Sequence, residues 1–277
     1  MASSVSGKVA FVTGGASGIG AALATALVDG GASVWIADRQ LGAAQELAQR
    51  LNSAGGRAFA VELDVRDYPS FERVVAQVLQ QSGRIDYLFN NAGIGVGGEI
   101  DSYELDDWND VFDVNLRGVV HGIQAVYPIM IRQRSGHIVN TASMAGLVAA
   151  PGSASYTATK HAVVAISKVL RVEGERHGVQ ASVLCPGAIR TPILTGGTYG
   201  RMTMTGLSDQ QMLKYWEPMR PMAPEKFAER ALRAVLRGKA VIVLPAWWKA
   251  AWYLERLSPA LSMRVARLTL KRLREMD

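Results

Sequence analysis

The sequence predicts an α/β protein with one doubly wound, seven-stranded parallel sheet flanked by helices in a single domain. Seven short β-like runs recur along the 277 residues, and the stretches between them have helical periodicity. The runs are continuously apolar and do not alternate, as expected of strands covered on both faces. Hydrophobic residues make up 49% of the chain and charged residues 19%, which excludes disordered, collagenous and fibrous classes. A chain of this length buries about 75% of its unfolded surface, so its core needs no covalent staple.

The first run, VAFVT at 9–13, ends in Thr13-Gly14-Gly15-Ala16-Ser17-Gly18-Ile19-Gly20 and passes directly into the helical stretch AALATALVDGG. Glycines reach backbone conformations closed to other residues and let a pyrophosphate approach the free N–H groups at the positive end of the helix. In a strand-turn-helix setting this predicts dinucleotide binding. The second run, ASVWIA at 32–37, delivers Asp38 at its end, eighteen residues beyond Gly20. A carboxylate there accepts hydrogen bonds from a ribose 2′-hydroxyl and repels a 2′-phosphate, which points to NAD over NADP. The adjacent Arg39 keeps two readings open, a partner for a 2′-phosphate or a solvated side chain lying over the adenine face.

The third run, AFAVEL at 58–63, precedes Asp64 and Val65, and the fourth, IDYLFN at 85–90, opens into Asn90-Asn91-Ala92-Gly93. Asn115 lies in the helical stretch that follows, and the fifth run, HIVNTA at 137–142, delivers Ser143. Tyr156 and Lys160 are four residues apart, which on a helix places both side chains on one face. A free tyrosine titrates near about 10, and a neighbouring ammonium stabilises its phenolate, so the pair makes a usable acid/base. His161 points about 100° away around that helix and reads as structural. The sixth run, ASVLC at 181–185, leads into Pro186-Gly187 and the seventh is AVIVL at 240–244. Cys185 is the single cysteine and reads as a small buried hydrophobe. It excludes an intramolecular disulfide or a thiolate cluster and fits a reducing compartment. His121, His137, His161 and His177 form no plausible ligand pair, so no metal is expected.

In order from Lys8 to about Leu244, the glycine-rich turn, Asn90-Asn91-Ala92-Gly93, Asn115, Ser143, Tyr-x-x-x-Lys and Pro186-Gly187 resemble the short-chain dehydrogenase/reductase family. The resemblance implies a Rossmann fold and an NAD(P)-dependent oxidoreductase acting on CH–OH groups. It implies that Tyr156 is the general acid/base, that Lys160 lowers its pKa and holds the nicotinamide ribose, and that Ser143 hydrogen-bonds the substrate oxygen. It assigns Asn115 a water linking Lys160 to solvent. It places Gly14, Ser17, Gly18, Ile19 and Gly20 at the phosphates, Asp38 with Arg39 at the adenosine ribose, and Asp64 with Val65 at the adenine. Asn91, Ile189 and Thr191 then fall on the nicotinamide side, and Gly93, Pro186 and Gly187 complete the implied cofactor-binding set. It also implies a homodimer or homotetramer built through the helices of Asn115 and Tyr156.

Two segments break the βα rhythm, one within the catalytic region, residues 1–245, and one beyond it. Residues 189–222 are too long for a plain connection. They match the family's substrate lid and contain Met202, Met204, Met212, Met219 and Met222, five of the ten methionines. These either shape an adaptable apolar pocket or pack the lid on the sheet. Residues 246–277 form an extension beginning with Trp247, Trp248, Trp252 and Tyr253, and a helix is expected after Pro259. Seven Lys/Arg against three Asp/Glu give this extension +4 of the chain's +6. Arg264, Arg267, Lys271 and Arg274 form a basic stripe beside an apolar one of Met263, Ala266, Leu270 and Leu273. Such a helix suits either an anionic membrane surface or a partner subunit. No groove-reading motif accompanies the basic charge, so nucleic-acid binding is not expected.

The N-terminus MASSVSGK lacks a basic n-region and an apolar h-region, and no segment approaches the about 20 apolar residues of a membrane span. The expectation is a cytoplasmic protein, with peripheral membrane contact open through the extension. Function is expected as NAD-dependent hydride transfer between nicotinamide and a secondary alcohol or ketone on an apolar molecule. The alternatives are an NADPH-dependent carbonyl reductase and a non-catalytic nucleotide-binding scaffold or redox sensor.

Overall fold

The computed structural model describes residues 4–195, 197–202 and 208–275, and the side chains of Met202 and Leu273 are outside the described set. Met204 also lies outside the described residues. The elements run β1 (Val9–Thr13), α1 (Gly18–Asp29), β2 (Ser33–Asp38), α2 (Leu41–Ser53), β3 (Arg57–Glu62), α3 (Tyr68–Ser82), β4 (Tyr87–Asn90), β5 (Val96–Gly97) and α4 (Leu105–Phe112). They continue with α5 (Gly118–Gln133), β6 (Gly136–Thr141), α6 (Ala154–Gly174), β7 (Val179–Pro186), β8 (Arg201–Met202), α7 (Asp209–Trp216), α8 (Pro224–Leu236), β9 (Val241–Leu244), α9 (Lys249–Leu257) and α10 (Pro259–Arg274).

Among the described residues, seven strands form one sheet in the order β3-β2-β1-β4-β6-β7-β9, each pair parallel. Alternation along each strand feeds two cores. Val9 and Phe11 of β1 enter the layer built with α3, α5 and α6, where Phe11 meets Phe71 edge to face at 5.8 Å between centroids. Ala10 and Val12 enter the opposite layer, with Leu23 and Leu27 of α1, Leu47 of α2 and Phe227 of α8. Burial on both faces explains why the strands read as unbroken apolar runs. The winding reverses between β1 and β4, which leaves a crevice above their carboxyl ends, where open α/β sheets bind ligands.

The predicted strands are all present, with shifted ends. The run at 85–90 forms strand β4 from Tyr87; Asp86 just before it is joined to Val9 and His137 by backbone hydrogen bonds, and its carboxylate accepts the Val9 N–H at 2.9 Å. Strand β7 extends past the predicted 181–185 at both ends, and exposed Gln180 had interrupted the apolar signal. The β5–β8 pair, two residues per strand, has no sequence signature at all.

The described residues of the 189–222 segment hold more structure than a plain loop. A pair of backbone hydrogen bonds closes their neck, Arg190 N–H to Met222 O at 2.9 Å and Met222 N–H to Ala188 O at 3.0 Å. Strand β8 ties them to the loop after β4, and Arg201 reaches Asp107 at 2.8 Å and Asp110 at 3.0 Å on α4. The extension folds back as the hairpin of α9 and α10.

Candidate active site

One cavity of about 820 Å³ lies over the carboxyl ends of β1, β4, β6 and β7. It runs from Asp38 and Asp64 at one end, past the glycine-rich turn, to Ser143 and Tyr156, and then under the hairpin of α9 and α10. Gly14, Ser17, Gly18, Ile19, Arg39, Val65, Asn91, Gly93, Lys160, Pro186, Gly187, Ile189 and Thr191 also line it. Gly20 and Asn115 do not, and both act from behind the wall.

The turn between β1 and α1 has the close approaches a phosphate cradle requires. Gly14 has φ +60°, and a Cβ on it would lie 2.7 Å from the Ala92 Cα. A Cβ on Gly20 would lie 1.9 Å from the Gly14 carbonyl oxygen, so Gly20 lets the first turn of α1 close against the loop. Ser17 precedes α1 without a side-chain capping bond, and the first turn carries no acidic residue. The leading N–H groups and the positive dipole end are thus offered to an anion. Thr13 braces the loop from below, its hydroxyl accepting the N–H of Asn91 at 3.0 Å and of Ala92 at 3.2 Å.

Asp38 is buried at the end of β2, and its two oxygens accept the N–H groups of Ala16 at 3.0 Å and Gln40 at 3.0 Å. The carboxylate therefore organises the turn while still facing the cavity. Arg39 lies over the Tyr199 ring, 4.4 Å from its centroid, so its guanidinium faces a residue of the 189–222 segment. Asp64 pairs with Arg66 at 2.6 Å, and this hydrogen bond holds its carboxyl below the usual range against the opposing cost of burial. Together the glycine cradle, the acidic strand end and the length of the cleft fit a dinucleotide.

At the other end, Lys160 is 3% exposed and donates from Nζ to the Thr141 carbonyl at 2.9 Å. Its Nζ lies 5.3 Å from the Tyr156 ring centroid. Burial pulls the Lys160 ammonium down to about 8, and burial pushes the Tyr156 phenol up to about 12 with a hydrogen bond to Ser143 opposing. Burial thus outweighs the Ser143 hydrogen bond at Tyr156, where sequence reasoning expected the phenol to be lowered by Lys160. Ser143 also accepts the Ala145 N–H at 3.1 Å, which fixes its rotamer toward the cavity wall. Asn115 sits at 0% exposure in a π-helical turn over Asp113–Arg117, between α4 and α5. Its amide bonds both backbone groups of Ile94, accepting at 2.8 Å and donating at 2.9 Å. A Cβ on Gly93 would lie 3.3 Å from Asn115 Oδ1 and 3.5 Å from Lys160 Nζ, so both groups converge on that glycine.

The remaining sequence candidates sort by burial. His161 is exposed and bonds the Thr157 carbonyl at 3.0 Å, away from Lys160. Cys185 is fully buried, and burial pushes its thiol up to about 12, which makes it an inert packing group. Met212 and Met219 face the cavity, whereas Met222 packs on the core beside α1 and α8. The methionines therefore divide between the two roles open to them.

The sequence left open what the extension touches, and in the structure it walls the cavity. Trp248, Ala251, Leu254, Ser262, Val265, Ala266 and Thr269 line the substrate end. Trp248 stacks on Trp247 at 4.5 Å and packs against Gly187, where any Cβ would come within 2.0 Å of its indole nitrogen. Arg274 secures the end of α10 by pairing with Glu99 at 2.7 Å. The side of α10 on the cavity carries Ser262, Val265, Ala266 and Thr269; of the apolar stripe read from the sequence, Ala266 lies on it, while Met263 is 46% exposed. Small side chains let this helix sit over the cavity without filling it. Arg66, Tyr199 and these α9 and α10 residues were missed by sequence reasoning. The tryptophan cluster was the one visible signal among them.

The family model described as short chain dehydrogenase matches residues 8–198. An uncharacterized oxidoreductase of Listeria innocua is 36% identical over 192 residues, 69% of this chain and 77% of its own. A 2,5-dichloro-2,5-cyclohexadiene-1,4-diol dehydrogenase of Sphingobium indicum is 37% identical over 193 residues, 70% of this chain and 77% of its own. Among solved structures, a short chain dehydrogenase/reductase from Burkholderia phymatum in complex with NAD superimposes with a TM-score of 0.84 at 30% identity, covering 94% of this chain and 96% of that one. A putative short-chain dehydrogenase from Novosphingobium aromaticivorans gives 0.76 at 27% identity, covering 99% of this chain and 98% of its own, so the likeness reaches into the hairpin.

Proposed function

The chain belongs to the short-chain dehydrogenase/reductase family of nicotinamide-dependent oxidoreductases, and from that premise we propose that it uses NAD to interconvert a secondary alcohol and a ketone on a bulky apolar, cyclic or lipid-like molecule. The observation that supports this most is the convergence of Ser143, Tyr156 and Lys160 in one cavity with the glycine-rich turn. A nicotinamide dinucleotide held by that turn supplies hydride transfer to or from carbon.

This chain's own residues do the rest. Ser143 hydrogen-bonds the substrate oxygen and Tyr156 exchanges a proton with it. With its phenol pushed up to about 12, Tyr156 is protonated near neutral pH and ready to donate to a nascent alkoxide. In the oxidative direction Tyr156 must first lose that proton, and the charge of Lys160 favours the loss. Asn115 fixes the Ile94 backbone beside Lys160 and positions it. Residues 189–222 act as the lid and the α9–α10 hairpin as a second cover. The apolar substrate class is supported by Met212, Met219, Trp248 and Leu254 around the substrate end and by the cyclic diol in the name of the Sphingobium relative. Val169 and Val172, 56% and 71% exposed on α6, support a homodimer or homotetramer built through the helix of Tyr156.

NAD preference rests on Asp38, whose carboxylate repels a 2′-phosphate. Initial rates with NADH and NADPH on a panel of cyclic and long-chain ketones test both halves of the reading. NADH is expected to be preferred by about tenfold or more, and Asp38→Ser to narrow that ratio. NADPH preference in the unaltered enzyme would make it the carbonyl reductase, and absence of turnover with either cofactor would favour the scaffold.

A further inference from the structure

The outward side of α10 is built unlike a helix that faces water. Leu261, Val265 and Leu268 follow at steps of four and three and so share one face. They are 46%, 48% and 62% exposed, while the inward stripe on the cavity is the small set Ser262, Ala266 and Thr269. Leu261 and Leu268 are therefore turned out, and Val265 sits at the edge between that row and the cavity. A second row, Arg264, Arg267 and Lys271, follows the same spacing about 100° further round, and all three are exposed. Tyr253 and Leu257, one turn apart on α9, add apolar surface at 54% and 84% exposure.

We propose that this face of the α9–α10 hairpin docks on an anionic membrane surface. Exposed leucines and valine beside a cationic row are the pattern of a helix lying in the lipid interface, the apolar row entering the acyl boundary and the cations meeting lipid phosphates. Charge selects this occupant over a second copy of the chain, since residues 246–277 hold +4 of the total +6 and a copy would set that surplus against itself. None of the helices of the described residues is long and apolar enough to cross a membrane, so the contact is peripheral. Val265 belongs both to the docking row and to the cavity wall. Docking therefore sets the cavity's edge against the lipid, which would deliver a bilayer-dissolved apolar alcohol. That consequence rests on the proposed dehydrogenase reading, whereas the docking does not.

The test is co-sedimentation of the full-length protein with phosphatidylcholine vesicles, with and without phosphatidylglycerol, at low and high salt. Binding is expected only with phosphatidylglycerol, and raised salt should release it, because screening shortens from about 10 Å at 0.1 M to about 3 Å at 1 M. Arg264→Gln/Arg267→Gln/Lys271→Gln should lower the partition coefficient by roughly a hundredfold, about fivefold per lost cation. Leu261→Ser/Leu268→Ser should abolish insertion while leaving thermal unfolding and NADH binding unchanged. No sedimentation of the unaltered protein, equal binding to uncharged vesicles, or variants that bind normally would each overturn the proposal. So would sedimentation velocity showing lipid-free self-association that Leu261→Ser/Leu268→Ser dissolves. NADH titration of the same samples reads the dehydrogenase site separately, so loss of cofactor binding with vesicle binding intact would count against the function alone.

Discussion

The two ends of the cavity are built from different materials. The dinucleotide end is mostly backbone, with Gly14 at φ +60° and Gly20 against the Gly14 carbonyl, braced by the Asp38 and Thr13 side chains. The substrate end is mostly side chain, contributed by Met212, Met219, Trp248, Leu254 and the small residues of α10. A backbone cradle admits one ligand shape and tolerates few substitutions. A side-chain wall drawn from a lid and a hairpin can change specificity without disturbing the cofactor. Under the proposed function, chemistry happens where the two meet, at Tyr156.

Substitutions at each end should separate these contributions. Tyr156→Phe removes the proton donor at the junction and is expected to lower kcat by about 10³-fold with NADH affinity nearly unchanged, as measured by steady-state rates and fluorescence titration. Gly14→Ala places a Cβ 2.7 Å from the Ala92 Cα at a positive φ. With nothing flexible to yield, it should weaken NADH by roughly tenfold to a hundredfold and leave the KM ratio between substrates alone. Ala266→Phe projects from α10 into the substrate end and should raise KM for bulky ketones by roughly tenfold, sparing small ones and NADH. If Ala266→Phe instead weakened NADH, the division of the cavity would be wrong. A smaller effect is expected from pH. Lys160 is pulled to about 8 while Tyr156 is held up to about 12, so ketone reduction should decline severalfold as pH rises through 8. The pH-rate profile of Lys160→Met should lack that inflection.

The same contrast explains what the sequence disclosed. Gly14, Asp38, Asn91 and Ser143 each end or directly follow a strand, and Tyr156 and Lys160 sit one turn apart on α6, so local spacing makes the strand-end group and the helical pair legible. Trp248 meets Gly187 across 61 residues of chain and Arg274 meets Glu99 across 175, contacts no local pattern encodes. The amphipathic reading of α10 found its basic row and an apolar stripe but no contact with the cavity, because which side of the helix meets the protein depends on how the hairpin folds back over distant strands. Asn115 was legible as a residue, but its π-helical turn and its grip on Ile94 depend on how α4 and α5 join.

Hydride transfer at the junction can be read directly. The protein would be incubated with NAD and a panel of cyclic and long-chain secondary alcohols deuterated at the carbinol carbon, and the nicotinamide analysed by mass spectrometry. The account predicts that one deuterium moves from at least one of these alcohols to the nicotinamide ring and that Tyr156→Phe slows the transfer by about 10³-fold. Cofactor that binds tightly yet never acquires label from any alcohol would contradict it and make the protein a nucleotide-binding scaffold.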